Sequence, residues 1–320
     1  MQGEVFNQST WVVLKAADLY YKQNKSQKEI SEILQVSTST VSRLLKRAAK
    51  ENIVSFVIQE PYAECLELKK KLQAKYGLKG VVVAPPINNP EDEEAVKQSV
   101  ALEGARYIQR IITPEDILGI AWGGTMYHLI QYLNPCRRTE ASFITLHGSL
   151  ACFDFELDVR TLVSRIAMAF GGKHHSLISE GLMASKEAIQ MLMQEENIQR
   201  VFSLFNKITI SVSGIGSFYP EATSPLAQRQ YLKPHEFEEL QKQGVYGDLM
   251  LRFFNKDGEE CDSSLKDRTL AISLENYRHI PCKVVAASGV HKAHTIKAAL
   301  KGKLIDVLIV DYHLAQAIYN

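Results

Sequence analysis

The segment from Ser26 to Lys50 constrains the fold most strongly, because it encodes two short helices separated by too few residues for an ordinary loop. Ser26 and Glu29 have the spacing of a capping box, in which each side chain bonds a free amide at a helix start. Ser37 is suited to cap the second helix, and Val36 lies in the turn between the two. Apolar residues recur at helical spacing in both helices: Ile30, Ile33 and Leu34 in the first, and Val41, Leu44, Leu45 and Ala48 in the second.

The outward face of the second helix carries hydroxyl groups and positive charges. Between Ser37 and Lys50 the sequence has four cations and no acid. Such side chains bond the phosphates and base edges of DNA, so the pattern predicts a DNA-reading helix. The alternative is an ordinary helical hairpin whose charged face is solvated. The outward residues are Thr38, Ser39, Ser42, Arg43, Lys46, Arg47 and Lys50.

The same segment resembles the helix-turn-helix of bacterial transcription regulators. The matching residues are Gln27, Glu29, Ile30, Ser31, Leu34, Val36, Ser37, Thr40, Val41, Ser42 and Arg43. This number of matches in register favours the helix-turn-helix over the ordinary hairpin. Gln35 stands where glycine is usual, so a residue with a side chain is expected to adopt a positive φ there. The resemblance implies binding to a double-stranded DNA operator through Gln27, Ser37, Thr38, Ser39, Ser42, Arg43 and Lys46.

Composition narrows the class of protein. A length of 320 residues suggests two domains, and a net charge of +1 confines any nucleic-acid-binding surface to a local patch. The five cysteines form no CxxC pair, which argues against a disulfide framework and a zinc site. The sequence shows no signal peptide and no apolar run of about 18 residues. We therefore expect a cytoplasmic protein that uses no membrane span, metal or cofactor.

The first domain is expected to span residues 1–60. An amphipathic helix from about Thr10 to Gln23 would support the two reading helices. The residues available for that contact are Trp11, Leu14, Ala17, Leu19 and Tyr20. The β-rich run 53–58 predicts a strand beside the helices, which would make the domain a winged variant. Pro61 interrupts this run, and we place the domain boundary there.

Residues 61–320 predict a larger, Rossmann-like α/β domain with a mostly parallel sheet. Short apolar runs alternate with amphipathic helices, which is typical of a parallel sheet covered on both faces. The predicted strands are 81–84, 117–121, 143–146, 208–212, 284–287 and 307–310, with a further strand at 249–254. The predicted helices are 64–76, 91–111, 157–170 and 291–300, with a short helix after Pro234.

Glycines and small hydroxyl residues follow several of these strands, where ligands bind in open α/β sheets. The candidate residues are Gly123, Gly124 and Thr125; His147, Gly148 and Ser149; Gly214 and Gly216; and Gly289 with Lys292. Two glycines at the start of a helix let the backbone approach an anion, and the helix N-terminus offers free amides. The set predicts a pocket for a small phosphorylated molecule, although glycine also serves tight turns for steric reasons alone.

From Pro61 onward the chain is similar to the sugar-binding effector domain of the SorC/DeoR-like bacterial regulators. The matching blocks are 119–125, 213–217, 244–258, 270–281 and 288–311. The resemblance implies a fold like that of sugar-phosphate isomerases and a bound phosphorylated sugar. Its phosphate would contact Gly123, Gly124, Thr125 and Lys292, and its hydroxyl groups would contact Asp248. His147, in place of a usual asparagine, and the segment 176–185 depart from the family pattern. By spacing alone, Asp248 would be read as a turn aspartate bonded to its own backbone.

The sequence therefore predicts a transcription regulator that responds to a phosphorylated sugar. A homo-oligomer, dimer or tetramer, is expected because one helix-turn-helix reads only half a site. The alternative is a sugar-phosphate isomerase or aldolase-type enzyme with an appended DNA-binding domain, using Asp248 as a base and Lys292 as a Schiff-base amine. No His–carboxylate pair at a motif spacing supports that alternative. An NAD-dependent sensor is disfavoured because Gly216 does not complete a GxGxxG motif.

Overall fold

A computed structural model describes residues 10–56, 59–135, 138–150 and 155–320 of the chain. The chain divides into two compact units that meet between Gln59 and Glu60. Among the described helices, none is long and apolar enough to cross a membrane. Cys65, Cys261 and Cys282 are free thiols, whereas Cys136 and Cys152 lie outside the described residues.

The first unit is a small bundle of helices. These are α1 (Thr10–Ala17, continued by a π turn at Asp18–Lys22), α2 (Gln27–Leu34) and α3 (Thr38–Lys50). Val12, Val13 and Ala16 of α1 are buried against the other two helices. Of the five residues predicted to make this contact, Ala17 and Leu19 are buried and Tyr20 is partly buried in the same cluster, whereas Trp11 and Leu14 are 69% and 44% exposed. The prediction is confirmed for those three residues and wrong for Trp11 and Leu14, because Val12, Val13 and Ala16 occupy the buried face of α1 instead.

The buried face of α2 is narrower than predicted. Ile30 and Leu34 are buried, but Ile33 is 47% exposed. Successive residues lie about 100° apart around a helix, so Ile33 is rotated away from the face that Leu34 presents. Val36, in the turn, is partly buried against the helical core as expected.

The strand predicted over 53–58 is absent from 53–56, which is the part of it that the structure describes. The amides of Ile53 and Val54 instead donate to the carbonyl of Ala48, at 2.9 and 3.2 Å. Both side chains pack on the helical core. Their apolar character therefore serves burial against helices, not strand pairing. Val57 and Ile58 lie outside the described residues.

The second unit contains a seven-stranded parallel sheet in the order β1-β10-β9-β5-β2-β3-β4, and a three-stranded antiparallel sheet, β6-β7-β8. All six strands predicted for the parallel sheet are present, and β4 is an edge strand that the sequence analysis did not identify. The strands are β1 Gly80–Ala84, β2 Ile117–Ile120, β3 Ser142–Thr145, β4 Lys173–His175, β5 Ile210–Ser213, β6 Gly216–Ser217, β7 Val245–Leu249, β8 Arg252–Asn255, β9 Cys282–Ala287 and β10 Val307–Asp311.

Helices cover both faces of the parallel sheet, as the continuous apolar strands predict. In β10, Leu308 and Val310 join one apolar cluster while Val307 and Ile309 join the other. The helices are α4 Tyr62–Tyr76, α5 Glu93–Ile111, α6 Gly124–Gln131, α7 Val159–Phe170, α8 Lys186–Leu192, α9 Glu196–Phe205, α10 Pro234–Lys242, α11 Leu274–Arg278, α12 Ala293–Lys301 and α13 Tyr312–Tyr319.

The single strand predicted over 249–254 is interrupted by the turn of a hairpin. Leu249 ends β7 and Arg252 begins β8. Between them Met250 and Leu251 have φ values of 51° and 65°, although neither is a usual residue for such a turn. Both are buried, at 2% and 0% exposure, so burial of the two side chains offsets the cost of their backbone conformation.

The order of the parallel sheet reverses beside β2. From β2 the chain continues outward to β3 and β4, then returns to β5 on the other side of β2. The connections that leave β2 and β5 therefore diverge and open a crevice at the carboxyl ends of these strands, which is where ligands bind in doubly wound sheets.

Candidate functional site

A cavity of about 330 Å³ occupies this crevice, a volume within the range of small-molecule sites. Seven of the predicted residues line it: Gly123, Gly124, Thr125, Gly214, Gly216, Asp248 and Lys292. A second cavity of about 790 Å³ is lined by Gly289 and shares Lys97, Pro225 and Lys292 with the first. The structure thus brings together residues that follow β2, β5 and β9.

The loop after β2 presents the start of α6 to the cavity. Gly123 has φ 119° and ψ 161°, a conformation that a residue with a side chain rarely adopts, although a Cβ there would meet no atom within 4 Å. Glycine is therefore required for its backbone angle. Thr125, in the first turn of α6, is 8% exposed and lines the cavity. The first amides of a helix lack partners within it, so this loop suits an anion.

His147 supports this loop through a hydrogen bond to its backbone and is not among the cavity-lining residues. The Trp122 amide donates to His147 Nε2 at 3.1 Å, so Nδ1 carries the proton and donates to the Gly148 carbonyl at 2.7 Å. This tautomer is neutral, and burial lowers the pKa of His147 to about 4. The ring is therefore an uncharged support for the backbone of the glycine loop.

Gly148 and Ser149 also lie outside the cavity lining. A Cβ on Gly148 would approach the Ser179 carbonyl to 2.7 Å, so glycine serves close packing there. The hydroxyl of Ser149 donates to Asp158 and accepts from Arg160 Nη2 at 3.1 Å. These contacts join the end of β3 to the start of α7.

Asp248 is a buried carboxylate that also lines the cavity, 5% exposed. Ser224 Oγ donates to its Oδ1 at 2.7 Å, and burial raises the pKa of Asp248 to about 6. Gly216 pairs with it across β6 and β7, where a Cβ would lie 2.0 Å from Oδ1. Glycine at 216 therefore leaves room for the carboxylate. Asp248 lies in a strand and accepts from Ser224, so it is not a turn aspartate bonded to its own backbone.

Lys292 ends the 3-10 turn Val290–Lys292 and precedes α12. The turn begins at Gly289, whose φ is 95° and whose amide donates to Asp311 Oδ2 at 2.8 Å. Burial lowers the pKa of Lys292 to about 8, while the carboxylate of Asp248 favours its charged form. The cavity thus has an ammonium group, a helix start and a buried carboxylate on its walls.

Several lining residues were not identified from the sequence. Trp122 and Tyr231 both line the cavity and contact each other edge to face, with ring centroids 5.9 Å apart. Trp122 directly precedes Gly123, so its position could have been inferred. The remaining unforeseen residues include Lys97, Leu157, Ser224, Pro225 and Gln228. They come from helix surfaces and irregular connections. No local sequence pattern indicates that such residues lie at the cavity.

The helix-turn-helix forms as its caps predict. The Ser26 amide donates to Glu29 Oε2 at 2.8 Å and the Glu29 amide to Ser26 Oγ at 3.2 Å. Gln35 has φ 53°, which confirms the positive φ expected at this turn position, where glycine is usual. Ser37 Oγ caps α3 by accepting from the Thr40 amide at 3.1 Å. Of the predicted DNA-contacting residues, Ser37, Thr38, Ser39, Arg43 and Lys46 are exposed, whereas Gln27 and Ser42 are half-buried.

Comparison with known proteins identifies the same two parts. The family model described as "Putative sugar-binding domain" matches residues 60–320, and that of sigma-70 region 4 matches residues 18–51. The chain is 30% identical over 308 residues to the deoxyribonucleoside regulator of Bacillus subtilis, covering 96% of each chain. It is 28% identical over 308 residues to the sorbitol operon regulator of Klebsiella pneumoniae, covering 95% of this chain and 96% of that one.

A solved structure agrees with these matches. The full-length sorbitol operon regulator SorC from Klebsiella pneumoniae is similar with a TM-score of 0.76 and 26% identity, over 98% of this chain and 99% of that one. These relatives are regulators of transcription, not enzymes. The chain belongs to the SorC/DeoR family of sugar-binding transcriptional regulators, with an N-terminal helix-turn-helix followed by a sugar-binding domain.

Proposed function

We propose that this regulator changes its affinity for a DNA operator when a phosphorylated sugar binds in the cavity between Gly123 and Lys292. The main support for the proposal is that one crevice holds both groups that suit a phosphate and a carboxylate that suits sugar hydroxyls. The start of α6, Thr125 and Lys292 suit a phosphate group. Asp248, which lines the same cavity, can accept hydrogen bonds from sugar hydroxyls, which a simple anion does not have.

Control of DNA binding follows from linkage. An effector shifts operator affinity only by its different affinity for the DNA-competent state and the other state of the protein. The binding free energy of the sugar phosphate is thereby converted into a change at the helix-turn-helix.

A thermal-shift screen of the full chain tests the effector class. The panel contains pentose, deoxypentose, hexose and hexitol phosphates, with each unphosphorylated parent as its control. A ligand at about 100 times its Kd adds roughly 2.7 kcal/mol of stability. We expect at least one phosphorylated compound to stabilise the protein more than its parent. Equal responses to phosphate and parent compounds across the panel would contradict the phosphate site.

Arg43 is expected to read bases, whereas Lys50 is expected to contact the DNA backbone. Both are exposed on α3, but Arg43 lies in its middle and Lys50 at its end. Arg43→Ala should cost roughly 1–3 kcal/mol of operator binding and relax sequence preference, while Lys50→Ala should weaken all sequences alike. Titrations with operator and random DNA at one salt concentration measure both effects. Equal losses on the two DNAs for both variants would refute these roles.

Tight operator binding further requires paired reading helices, so we propose a homo-oligomer held together by residues 61–320. A single helix-turn-helix reads a half-site, and the second lies one helical turn, or a multiple of it, away. Light scattering of that fragment at micromolar concentration should show a dimer or tetramer. A monomer would place the association elsewhere.

A further inference from the structure

Lys97 is a second cation at the effector cavity, and it comes from a helix surface rather than from a strand-end loop. It lies on α5 and, like Lys292, lines both cavities. A Cβ placed on Gly124 would lie 3.9 Å from Lys97 Nζ. The ammonium group is therefore next to the first turn of α6, where the free amides of that helix begin.

We propose that Lys97 is a second cationic ligand of the effector's phosphate group, in addition to Lys292, and that Glu94 restrains it until the anion binds. The inference rests on the proposed function, since it concerns the phosphate end of the same cavity. It adds a residue on α5 to the residues that follow β2, β5 and β9 and to Asp248 of β7.

Glu94 is placed to act as this restraint. Its Oε2 accepts from Lys97 Nζ at 2.6 Å, while its Oε1 is 2.5 Å from His128 Nε2 on α6. The side chains of Lys97 and Glu94 are 33% and 53% exposed, and exposed ion pairs of this kind contribute little free energy. A phosphate dianion can therefore compete for Lys97, after which Glu94 still has His128 as a partner.

The two lysines repel each other, and an anion that lies between them removes this repulsion. Lys97 and Lys292 line the same cavity, and the positive charge of Lys97 adds to burial in lowering the pKa of Lys292. Without an anion this repulsion opposes the charged forms. A phosphate bound between them replaces the repulsion with two attractions. Asp248 raises the pKa of Lys292 by more than Lys97 lowers it, and Asp311 and Glu93 raise it further, so burial is the main cause of the lowered pKa.

The test compares Lys97→Met with a matched variant, Lys71→Met. Lys71 is also on a helix surface and is also paired with an acid, Glu67, at 3.4 Å, but it lines neither cavity. Inorganic phosphate is titrated against the full chain by thermal shift, with chloride keeping the ionic strength constant. We expect the phosphate concentration at half-effect to rise about five- to tenfold in Lys97→Met. It should be unchanged in Lys71→Met.

Glu94→Gln tests the restraint. Freeing Lys97 should lower the half-effect concentration of phosphate below that of the wild type. If Glu94→Gln instead weakens phosphate binding as much as Lys97→Met does, Glu94 positions Lys97 for the phosphate. The proposal that Glu94 restrains Lys97 would then be wrong. If Lys97→Met responds like the wild type, Lys97 is not a ligand, although the proposed function stands. If phosphate fails to stabilise the wild type, both the inference and the phosphate site of the proposed function fall.

Discussion

Lys292→Ala is expected to raise the Kd of the phosphorylated effector by roughly 10- to 100-fold, since a charge-assisted bond contributes about 1.5–3 kcal/mol. The ammonium lies at the start of α12, in the cavity that Thr125 also lines. Both residues can therefore contact one phosphate group. The fold should be retained, because Lys292 makes no contribution to the apolar clusters. Operator binding without effector should also be retained, because the lysine belongs to the other unit.

Lys301→Ala is the matched control for this variant. Lys301 ends the same helix, α12, and pairs with Asp257 at 2.5 Å, away from the cavity lining. DNA-binding titrations of both variants with increasing effector compare them directly. The Lys301 variant should switch at the wild-type effector concentration and the Lys292 variant should not. If both switch together, the phosphate site has been placed wrongly.

Asp248→Asn is expected to stabilise the unliganded protein at pH 7 while weakening effector binding at least tenfold. The Asp248 carboxyl has a folded-state pKa of about 6, above its ordinary value of 3.8. Burial therefore makes the ionised carboxylate unfavourable in the folded state. A neutral amide of the same shape avoids that cost and still accepts from Ser224. The free energy of unfolding should increase by about 1–2 kcal/mol. This is less than the full pKa shift would give, because the substitution also removes the negative charge that favours the charged form of Lys292.

The pH dependence of the two proteins identifies the cause. Between pH of about 4 and 6 the folded wild type binds more protons at Asp248 than the unfolded chain does. The stability of the wild type therefore falls as pH rises through this window. The asparagine variant has no ionisable group at position 248 and lacks this pH dependence. The stability difference, measured by denaturant unfolding, should grow from pH 4 to pH 6 and then level off. A difference that is constant with pH would show that Asp248 is not the buried, costly acid described here.

Local features of the sequence predicted the elements that carry the site. The capping residues Ser26 and Ser37 fixed where α2 and α3 begin, because caps act within one turn of chain. The apolar runs of the parallel sheet were identifiable since both of its faces are buried. The glycine loop at Gly123 and the lysine after Gly289 then followed from the rule that ligands bind at the carboxyl ends of such strands.

Features set by distant contacts were not predictable in the same way. The turn at Met250 and Leu251 has no turn residue, and only burial of both side chains explains it. His147 carries a side chain that suits a ligand, yet its ring supports the Trp122 amide instead. Lys97 resembles any exposed helix lysine in the sequence. Only the packing of α5 beside α6 places it at the cavity.

Reciprocal linkage between effector and operator tests the central claim most directly. With the full chain and one phosphorylated sugar from the screen, operator affinity is measured with and without effector, and effector affinity with and without operator, at one salt concentration. If the two sites are coupled, both affinities must change by the same factor, typically 5- to 150-fold. Effector binding that leaves operator affinity unchanged would contradict regulation through this cavity.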